Sequence, residues 1–221
     1  MLSKSDSQES EEYLFYSQSG DIAFVAIEEE MAVVNDLLCL LQDGIAEELK
    51  RLSRELEGVK NGTIAIADPE GIGVTALYQE SLINFQLPHW DYINGRLSTG
   101  ANLVIIFAFI EWALKWLCGE LYDRNYRAVE RKINAFLNIR GKIEKYLKFL
   151  SDVGDFDFEI PEQFLSLLKA ERKIRNSFAH GDWNAFYSLD SSQNLKDVFL
   201  SFTHLLEGIE EAWNQPTNIQ K

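Results

Sequence analysis

The chain is poor in the residues that build disulfide frameworks and zinc sites. Among its 221 residues there are two cysteines, Cys39 and Cys118, and three well-separated histidines, His89, His180 and His204. None of them has the spacing of a metal-ligand set, and each cysteine lies in an apolar helical pattern. We therefore expect no metal and no cofactor, and we expect both cysteines to be reduced core residues of a cytoplasmic protein.

Other patterns that identify protein classes are also missing. The chain has no P-loop and no GxGxxG motif, which excludes the usual glycine-rich phosphate loops. Its Ser- and Glu-rich beginning contains no apolar run resembling a secretory signal. The apolar run 103–110 is too short to span a membrane and is followed by Glu111 and, one turn later, Lys115. We therefore expect no membrane partner.

Acidic residues outnumber basic ones, but they are unevenly distributed. The formal net charge is −14, and residues 1–100 carry 6 basic and 18 acidic side chains, against 15 and 17 in residues 101–221. Within 124–148 the local net charge is +6. Neutralisation of phosphates supplies much of the affinity for nucleic acids, so this segment is a candidate RNA surface. Its candidate contacts are Arg124, Arg127, Arg131, Lys132, Arg140 and Lys142. A solvated face of a surface helix is the simpler alternative.

Apolar spacing predicts an all-α bundle of about five helices in a single domain. From Ile22 to Leu56 apolar residues recur in steps of three and four, which indicates a long N-terminal helix with a candidate bend at Gly44. Its apolar stripe can pack within the chain or pair with a second chain as a coiled coil. Residues 1–20 are predicted to be a disordered acidic tail, 21–213 the helical domain, and 214–221 a polar tail.

The remaining segments are predicted from turn residues and helix signals. Asn61-Gly62, Pro69 and the glycines at 71 and 73 indicate a turn-rich insertion around 61–98, with a short strand or hairpin near 63–67. Four further helices are predicted: an apolar central helix capped by Ser98 or Thr99, a basic helical stretch from Arg124 to Leu150, a helix from Pro161 to Gly181, and a last helix from Leu195 to Trp213.

The segment Arg175-Asn176-Ser177-Phe178-Ala179-His180 carries the strongest chemical signal. Arginine is a fixed cation suited to phosphate, and histidine exchanges protons near neutral pH. On a helix Arg175 and His180 lie about 140° apart, whereas Asn176 and His180 share a face. Arg175 could reach round to the same phosphate as His180, or two copies could meet across a two-fold axis and form a composite cleft. His180 would then be the general base or acid, and Arg175 would stabilise the charge on the phosphorane.

Structural roles also explain these residues. Glu171 and Arg175 have the i, i+4 spacing of a surface ion pair, and His180 would interact favourably with the helix dipole. Glu111 and Lys115 form a second i, i+4 pair on the most apolar helix. Because buried charges are costly unless paired, this pair either fixes the helix register or supports catalysis at a cleft.

The Arg175 to His180 segment resembles the Arg, polar residue, three residues, His signature of the HEPN superfamily (higher eukaryotes and prokaryotes nucleotide-binding domains). Glu111-x-x-x-Lys115 on the preceding apolar helix is similar to a second motif of that superfamily, and the match covers roughly residues 100–213. The resemblance implies a dimeric, metal-independent endoribonuclease with its cleft at the interface. Arg175 and His180 would be catalytic, Asn176 would orient them, and Glu111 and Lys115 would support the site.

The same resemblance implies the biological setting. Such proteins act in toxin-antitoxin, phage-defence or RNA-processing systems, so RNA, a second copy and a cognate antitoxin or regulatory protein are the expected partners. The toxin branch regulated by nucleotidyl transfer has a tyrosine two residues after the histidine, where this chain has Asp182. Two alternatives remain: a non-catalytic helical module that binds a protein partner, and a nucleotide binder with aromatic stacking near Trp112, Trp116 or Trp183.

Overall fold

The structure is a computed structural model, and it describes residues 13–67, 71, 73–189 and 195–215. These residues form seven helices and no strand, which confirms the all-α prediction. The helices are α1 (Ile22–Lys60), α2 (Val74–Glu120), α3 (Tyr126–Asn134), α4 (Lys142–Gly154), α5 (Glu162–Ala179), α6 (Trp183–Ser188) and α7 (Leu195–Asn214). The predicted number of about five was too low, because the basic stretch is two helices and the short α6 gives no periodic signal.

The central helix α2 begins much earlier than its apolar run indicates. It contains two π-helical turns, Leu82–Gln86 and Ile93–Leu97, in which Leu87 and Ser98 donate their N–H groups to carbonyls five residues earlier. The first turn ends just before Pro88, whose ring and missing N–H would break an ordinary α-helix. The predicted insertion is therefore wrong for 74–98, which is helical throughout.

A turn does follow α1, but it is short. Thr63 donates its N–H to the carbonyl of Gly58 at 2.9 Å, and Ile66 donates its N–H to Oγ1 of Thr75 at 3.1 Å, at the start of α2. Residues 63–67 contain no strand, so the predicted strand or hairpin there is wrong. Pro69 lies outside the described residues.

The core surrounds the second half of α2, which packs against α1, α4, α5 and α7. Ile106, Phe107, Ile110 and Leu114 are at most 1% exposed. By length and composition α2 is the one helix of the described ranges that could also cross a membrane, and 56% of its most apolar window is buried within the fold. A core helix of a bundle has these same properties.

Residues 13–20 are packed against the bundle, which corrects the prediction of a disordered tail for that part of 1–20. Tyr13 and Phe15 are 4% and 1% exposed, and the carbonyl of Tyr13 accepts a hydrogen bond from Oγ1 of Thr203 at 2.8 Å. Tyr13 also donates its hydroxyl to Asn35 at 2.6 Å. The two aromatic side chains offset the entropy of ordering this segment. Residues 1–12, and 216–221 of the predicted polar tail, lie outside the described residues.

Glu210 of α7 fastens the same segment. Glu210 is 3% exposed. Its carboxylate accepts hydrogen bonds from the hydroxyl of Ser17 at 2.6 Å and the hydroxyl of Ser19 at 2.5 Å. It also accepts from the backbone N–H groups of Gln18 at 3.1 Å and Ser19 at 2.9 Å. Desolvation acts to raise the pKa of Glu210, but these hydrogen bonds outweigh it and hold the pKa below its ordinary value. The carboxylate therefore stays ionised while nearly buried.

The contact between α2 and α5 depends on a glycine. A methyl group on Gly100 would lie 2.4 Å from Cδ2 of Phe178, in the segment that carries Arg175 and His180. We expect Gly100→Ala to lower the free energy of unfolding by about 1 to 3 kcal/mol through overpacking. Gly44→Ala is the control: nothing lies within 4 Å of the added methyl group, and the exchange should stabilise α1 by about 0.5 to 1 kcal/mol. Urea unfolding followed by circular dichroism measures both, and equal shifts would contradict the packing argument.

Candidate functional site

His180 caps the C-terminal end of α5 and is exposed. Its N–H donates to the carbonyl of Asn176 at 2.9 Å, Gly181 follows with φ +69°, and the N–H of Asp182 returns to the carbonyl of Ser177 at 2.8 Å. These bonds close the helix at the glycine predicted to end it. The turn holds the backbone of His180 in place, while no described residue forms a hydrogen bond or ion pair with its imidazole.

Arg175 lies on the opposite side of α5, against α2. Its guanidinium carbon is 5.0 Å from the ring centre of Phe107, and Nη2 is 3.5 Å from Oε1 of Glu111. The side chain is 25% exposed, and its buried Nε has no hydrogen-bond partner within the described part of the chain. One guanidinium nitrogen is thus desolvated without a compensating hydrogen bond, which costs stability.

The predicted pairing of Glu111 with Lys115 is wrong, because each side chain has a different partner. Glu111 accepts from Arg175, and its other oxygen lies 3.9 Å from Nζ of Lys142 on α4. Lys115 donates to Oε1 of Glu130 on α3 at 2.6 Å. Glu111 therefore links α2, α4 and α5 at one point, and Lys115 fastens α3 to α2.

The alternative pairing of Glu171 with Arg175 is also wrong. Glu171 is 3% exposed on the buried face of α5, and its Oε1 has no partner among the described residues. Desolvation raises the pKa of Glu171 above its ordinary value. The apolar stripe of α5 passes through this position, and spacing alone cannot distinguish a core glutamate from a surface one.

A basic groove follows the exposed face of α5. Its volume is about 570 Å³, and it is lined by Ser166, Lys169, Ala170, Arg172, Lys173 and Asn176. Arg172 is bound to Glu144 of α4 at 2.7 Å, while Lys169 and Lys173 are exposed. Because His180 follows Asn176 by one turn, the imidazole lies at the C-terminal end of this face. Neither lysine is among the predicted RNA contacts, although their i, i+4 spacing is visible in the sequence.

Comparisons of the chain with protein-family models, with curated proteins and with solved structures give no match.

The six basic residues predicted to contact RNA are all exposed, on α3, on α4 and in the loops before these helices. Arg124 is bound to Glu120 at 2.9 Å and lies 5.5 Å from the ring centre of Trp116, and Lys132 lies 5.1 Å from that of Tyr122. Arg127, Arg131 and Arg140 are the others, with Lys142 near Glu111. This surface adjoins the Arg175 side of α5, across Glu111 and Lys142.

The described part of the chain has no cluster of three metal-ligating side chains. His89 and His204 are exposed on α2 and α7, away from the Arg175 segment in sequence. The carboxylate of Asp182, two residues after His180, is used as a helix cap: its Oδ1 accepts a hydrogen bond from the N–H of Ala185 at 3.2 Å at the start of α6.

Proposed function

We propose that this protein is a metal-independent endoribonuclease of the HEPN type that works as a homodimer in the cytoplasm. Arg175 and His180 are its catalytic residues, and Asn176, Glu111 and Lys115 support them. A role as a toxin or defence effector, restrained by a cognate antitoxin or regulatory protein, belongs to the same proposal.

The observation that carries this proposal is the exposed imidazole of His180 at the end of a basic helix face. The neighbouring lysines of α5 would attract a phosphate backbone, and Asn176, one turn before, can donate to a phosphate oxygen. No residue in the described ranges pairs with the His180 imidazole, so none of them would have to be displaced before it accepts a proton.

The chemistry requires only these groups and the RNA itself. His180 takes the proton of the 2′-hydroxyl, and the resulting oxygen attacks the adjacent phosphorus. The bond from phosphorus to the 5′-oxygen breaks, that oxygen takes a proton from solvent water, and the imidazolium of His180 returns its proton to solvent. Arginine stabilises the charge on the phosphorane. The products are a 2′,3′-cyclic phosphate and a 5′-hydroxyl.

The arrangement within one chain favours a site composed from two chains. Arg175 faces α2 and α4, whereas His180 follows Asn176, the last residue that lines the basic groove, by one turn, and the two side chains share no contact. An apolar groove of about 370 Å³ between α1 and α2 supports a dimer. It is lined by Glu30, Val34, Val104, Ile105, Ala108, Phe109 and Trp112, and Trp112 directly follows Glu111. Val104 at the edge of this groove lies two turns before Glu111 on the same side of α2, so an interface there adjoins the helix face that carries Glu111.

Purified protein incubated with total tRNA and a structured RNA in EDTA tests the activity. We expect cleavage that survives the chelator and leaves cyclic phosphate ends, which resist phosphatase until acid opens them. The same sequence made of deoxynucleotides should remain intact, because it lacks the internal nucleophile. Cleavage that stops in EDTA, or cutting of the DNA strand, would contradict the mechanism.

One observation favours the alternative of a non-catalytic interaction module. Arg175 is already neutralised by Glu111 and packed on Phe107, which are the contacts of a structural arginine. Part of α1 also exposes Val33, Leu37, Leu40 and Leu41, at 60%, 44%, 60% and 41%. Such a patch suits a protein partner. In that case the protein leaves all RNA uncut, and Leu37→Glu with Leu40→Glu abolishes its association with the partner.

A further inference from the structure

We propose that Trp183, backed by Tyr187, is the stacking platform for an unpaired nucleobase next to the scissile phosphate, so that the preferred substrate is single-stranded RNA. This inference rests on the proposed function and adds to it the part of the substrate that is recognised. It is carried by an exposed aromatic pair that the fold holds directly after His180.

The position of Trp183 is fixed by the turn that ends α5. After His180, Gly181 takes a positive φ of +69° and Asp182 caps α6, so Trp183 is the first residue of that helix. A methyl group on Gly181 would lie 3.9 Å from Nε1 of Trp183, which places the indole beside the turn. The indole therefore lies against the turn that directly follows His180.

Three aromatic rings hold the indole and still leave it accessible. Phe178 and Phe186 meet it edge to face at centroid distances of 5.8 and 6.1 Å, with interplanar angles of 88° and 81°. Tyr187, one turn along α6, is nearly parallel to it at 6.3 Å and 25°. Phe186 is 1% exposed and anchors the group, whereas Trp183 and Tyr187 are 43% and 46% exposed.

Tyr187 is itself held from α2, because its hydroxyl is hydrogen-bonded to that of Tyr92. The pair is thus a braced surface rather than a loose side chain, and bracing reduces the entropy lost when a ligand stacks on it. Every nucleobase offers a flat π face, so such a platform accepts unpaired bases with little regard to sequence. Bases inside a duplex are already stacked and are not available.

The charges around the platform match a nucleic acid strand. Lys169 and Lys173 lie on the face of α5 that ends at His180, about 16 and 10 Å before it along the helix axis. A strand whose backbone follows these lysines reaches the imidazole and then the indole in order. The phosphate groups would contact the lysines, the ribose of the scissile linkage His180, and the next base Trp183.

Equilibrium binding to the full chain carrying His180→Ala tests the platform without cleavage. The probe is a fluorescently labelled single-stranded RNA of mixed sequence, with the same RNA annealed to its complement for comparison. We expect Trp183→Ala to weaken binding of the single strand about tenfold to hundredfold and Trp183→Phe to restore most of it. Phe85→Ala is the matched control, because Phe85 is 69% exposed on the first half of α2 and lines neither the groove of α5 nor the proposed dimer interface, and it should bind the probe like its parent.

Fluorescence gives a second measurement on the same proteins. Single-stranded RNA should quench part of the tryptophan emission, and Trp183→Phe should remove that part. Trp90→Phe should keep it, because Trp90 packs on His89 of α2 and lines neither groove. The platform would be overturned by equal affinity of the Trp183→Ala variant and its parent, by an equal loss of affinity in the Phe85→Ala control, by tighter binding of the duplex, or by no binding of either RNA. If the wild type cleaves RNA in EDTA and Trp183→Ala does not change RNA binding, the proposed nuclease activity holds and the proposed platform does not. If RNA binding depends on Trp183 but no RNA is cleaved, the platform holds and the nuclease activity does not.

Discussion

Replacement of His180 by alanine is expected to reduce RNA cleavage by about 10² to 10⁴, because a positioned general acid or base contributes a factor of that size. The fold should be unaffected, since the imidazole is exposed and has no partner among the described residues. Initial rates on a defined single-stranded RNA in EDTA, together with circular dichroism spectra of both proteins, measure the two effects separately.

The chain supplies its own controls for this result. His89 and His204 are exposed as well, and alanine at either position should leave the cleavage rate within a factor of two of the wild type. A contaminating nuclease would give the same cleavage rate in the wild type and in the alanine variants of His180, His89 and His204. Equal rates for wild type and His180→Ala would therefore remove His180 from the reaction.

Mixing two inactive variants decides how the site is composed. If each site takes its arginine from one chain and its histidine from the other, a dimer of Arg175→Ala with His180→Ala has one intact site and one doubly altered site. Random exchange of subunits should then restore about a quarter of the wild-type rate. A site built within one chain would show no recovery, since every chain in the mixture lacks one of the two groups.

Glu210→Gln is expected to have the largest effect on stability, lowering the free energy of unfolding by about 3 kcal/mol. The amide nitrogen of glutamine would face donors that now point at a carboxylate, and the 13–20 segment would lose its main polar attachment. For a chain of this size the melting temperature should fall by about 6 to 12 °C. Thermal unfolding measured by circular dichroism tests this.

The pH dependence of the same group has a definite sign. Because the folded state lowers the pKa of Glu210, its stabilising contribution is complete above the ordinary pKa of glutamate and is lost as the pH falls through the lowered value. Glu210→Gln should therefore flatten the acid limb of the stability curve. The exposed neighbour supplies the control: Glu211→Gln should change stability by less than about 0.5 kcal/mol. Similar losses for both variants would contradict the role given to the buried carboxylate.

The sequence predicted the helices whose periodicity is uninterrupted and failed where local chemistry opposes the fold. The α-helical spacing of Ile27, Met31, Val34 and Leu38 gives α1 because all four are buried on one face. By contrast, Pro88 normally signals a break, and only the widened turn before it lets α2 continue. A bulge of this kind depends on hydrogen bonds that no residue pattern encodes.

The candidate site divides in the same way. The end of α5 at Gly181 and the common face of Asn176 and His180 follow from spacing, and the structure has both. The partners of Glu111, Lys115 and Arg175 do not follow, because they come from helices distant in sequence. An i, i+4 ion pair is weak on its own, so a contact with a neighbouring helix readily replaces it.

The two π-helical turns of α2 also set a limit on how that helix can be re-engineered. Each contains one residue more than an α-helical turn, so the helix on either side is rotated by roughly 100° relative to an unbroken register. Leu82 is buried, whereas Ile83 and Phe85 are exposed. This pattern of buried and exposed positions differs from the one obtained by continuing the α-helical spacing of the second half of α2 backwards to these residues. Deletion of a single residue at either bulge would therefore restore an α-helical turn and keep the two flanking parts of α2 in phase. The same deletion in an α-helical part of α2 would rotate one part by about 100° relative to the other and turn its contacts with α1 outward.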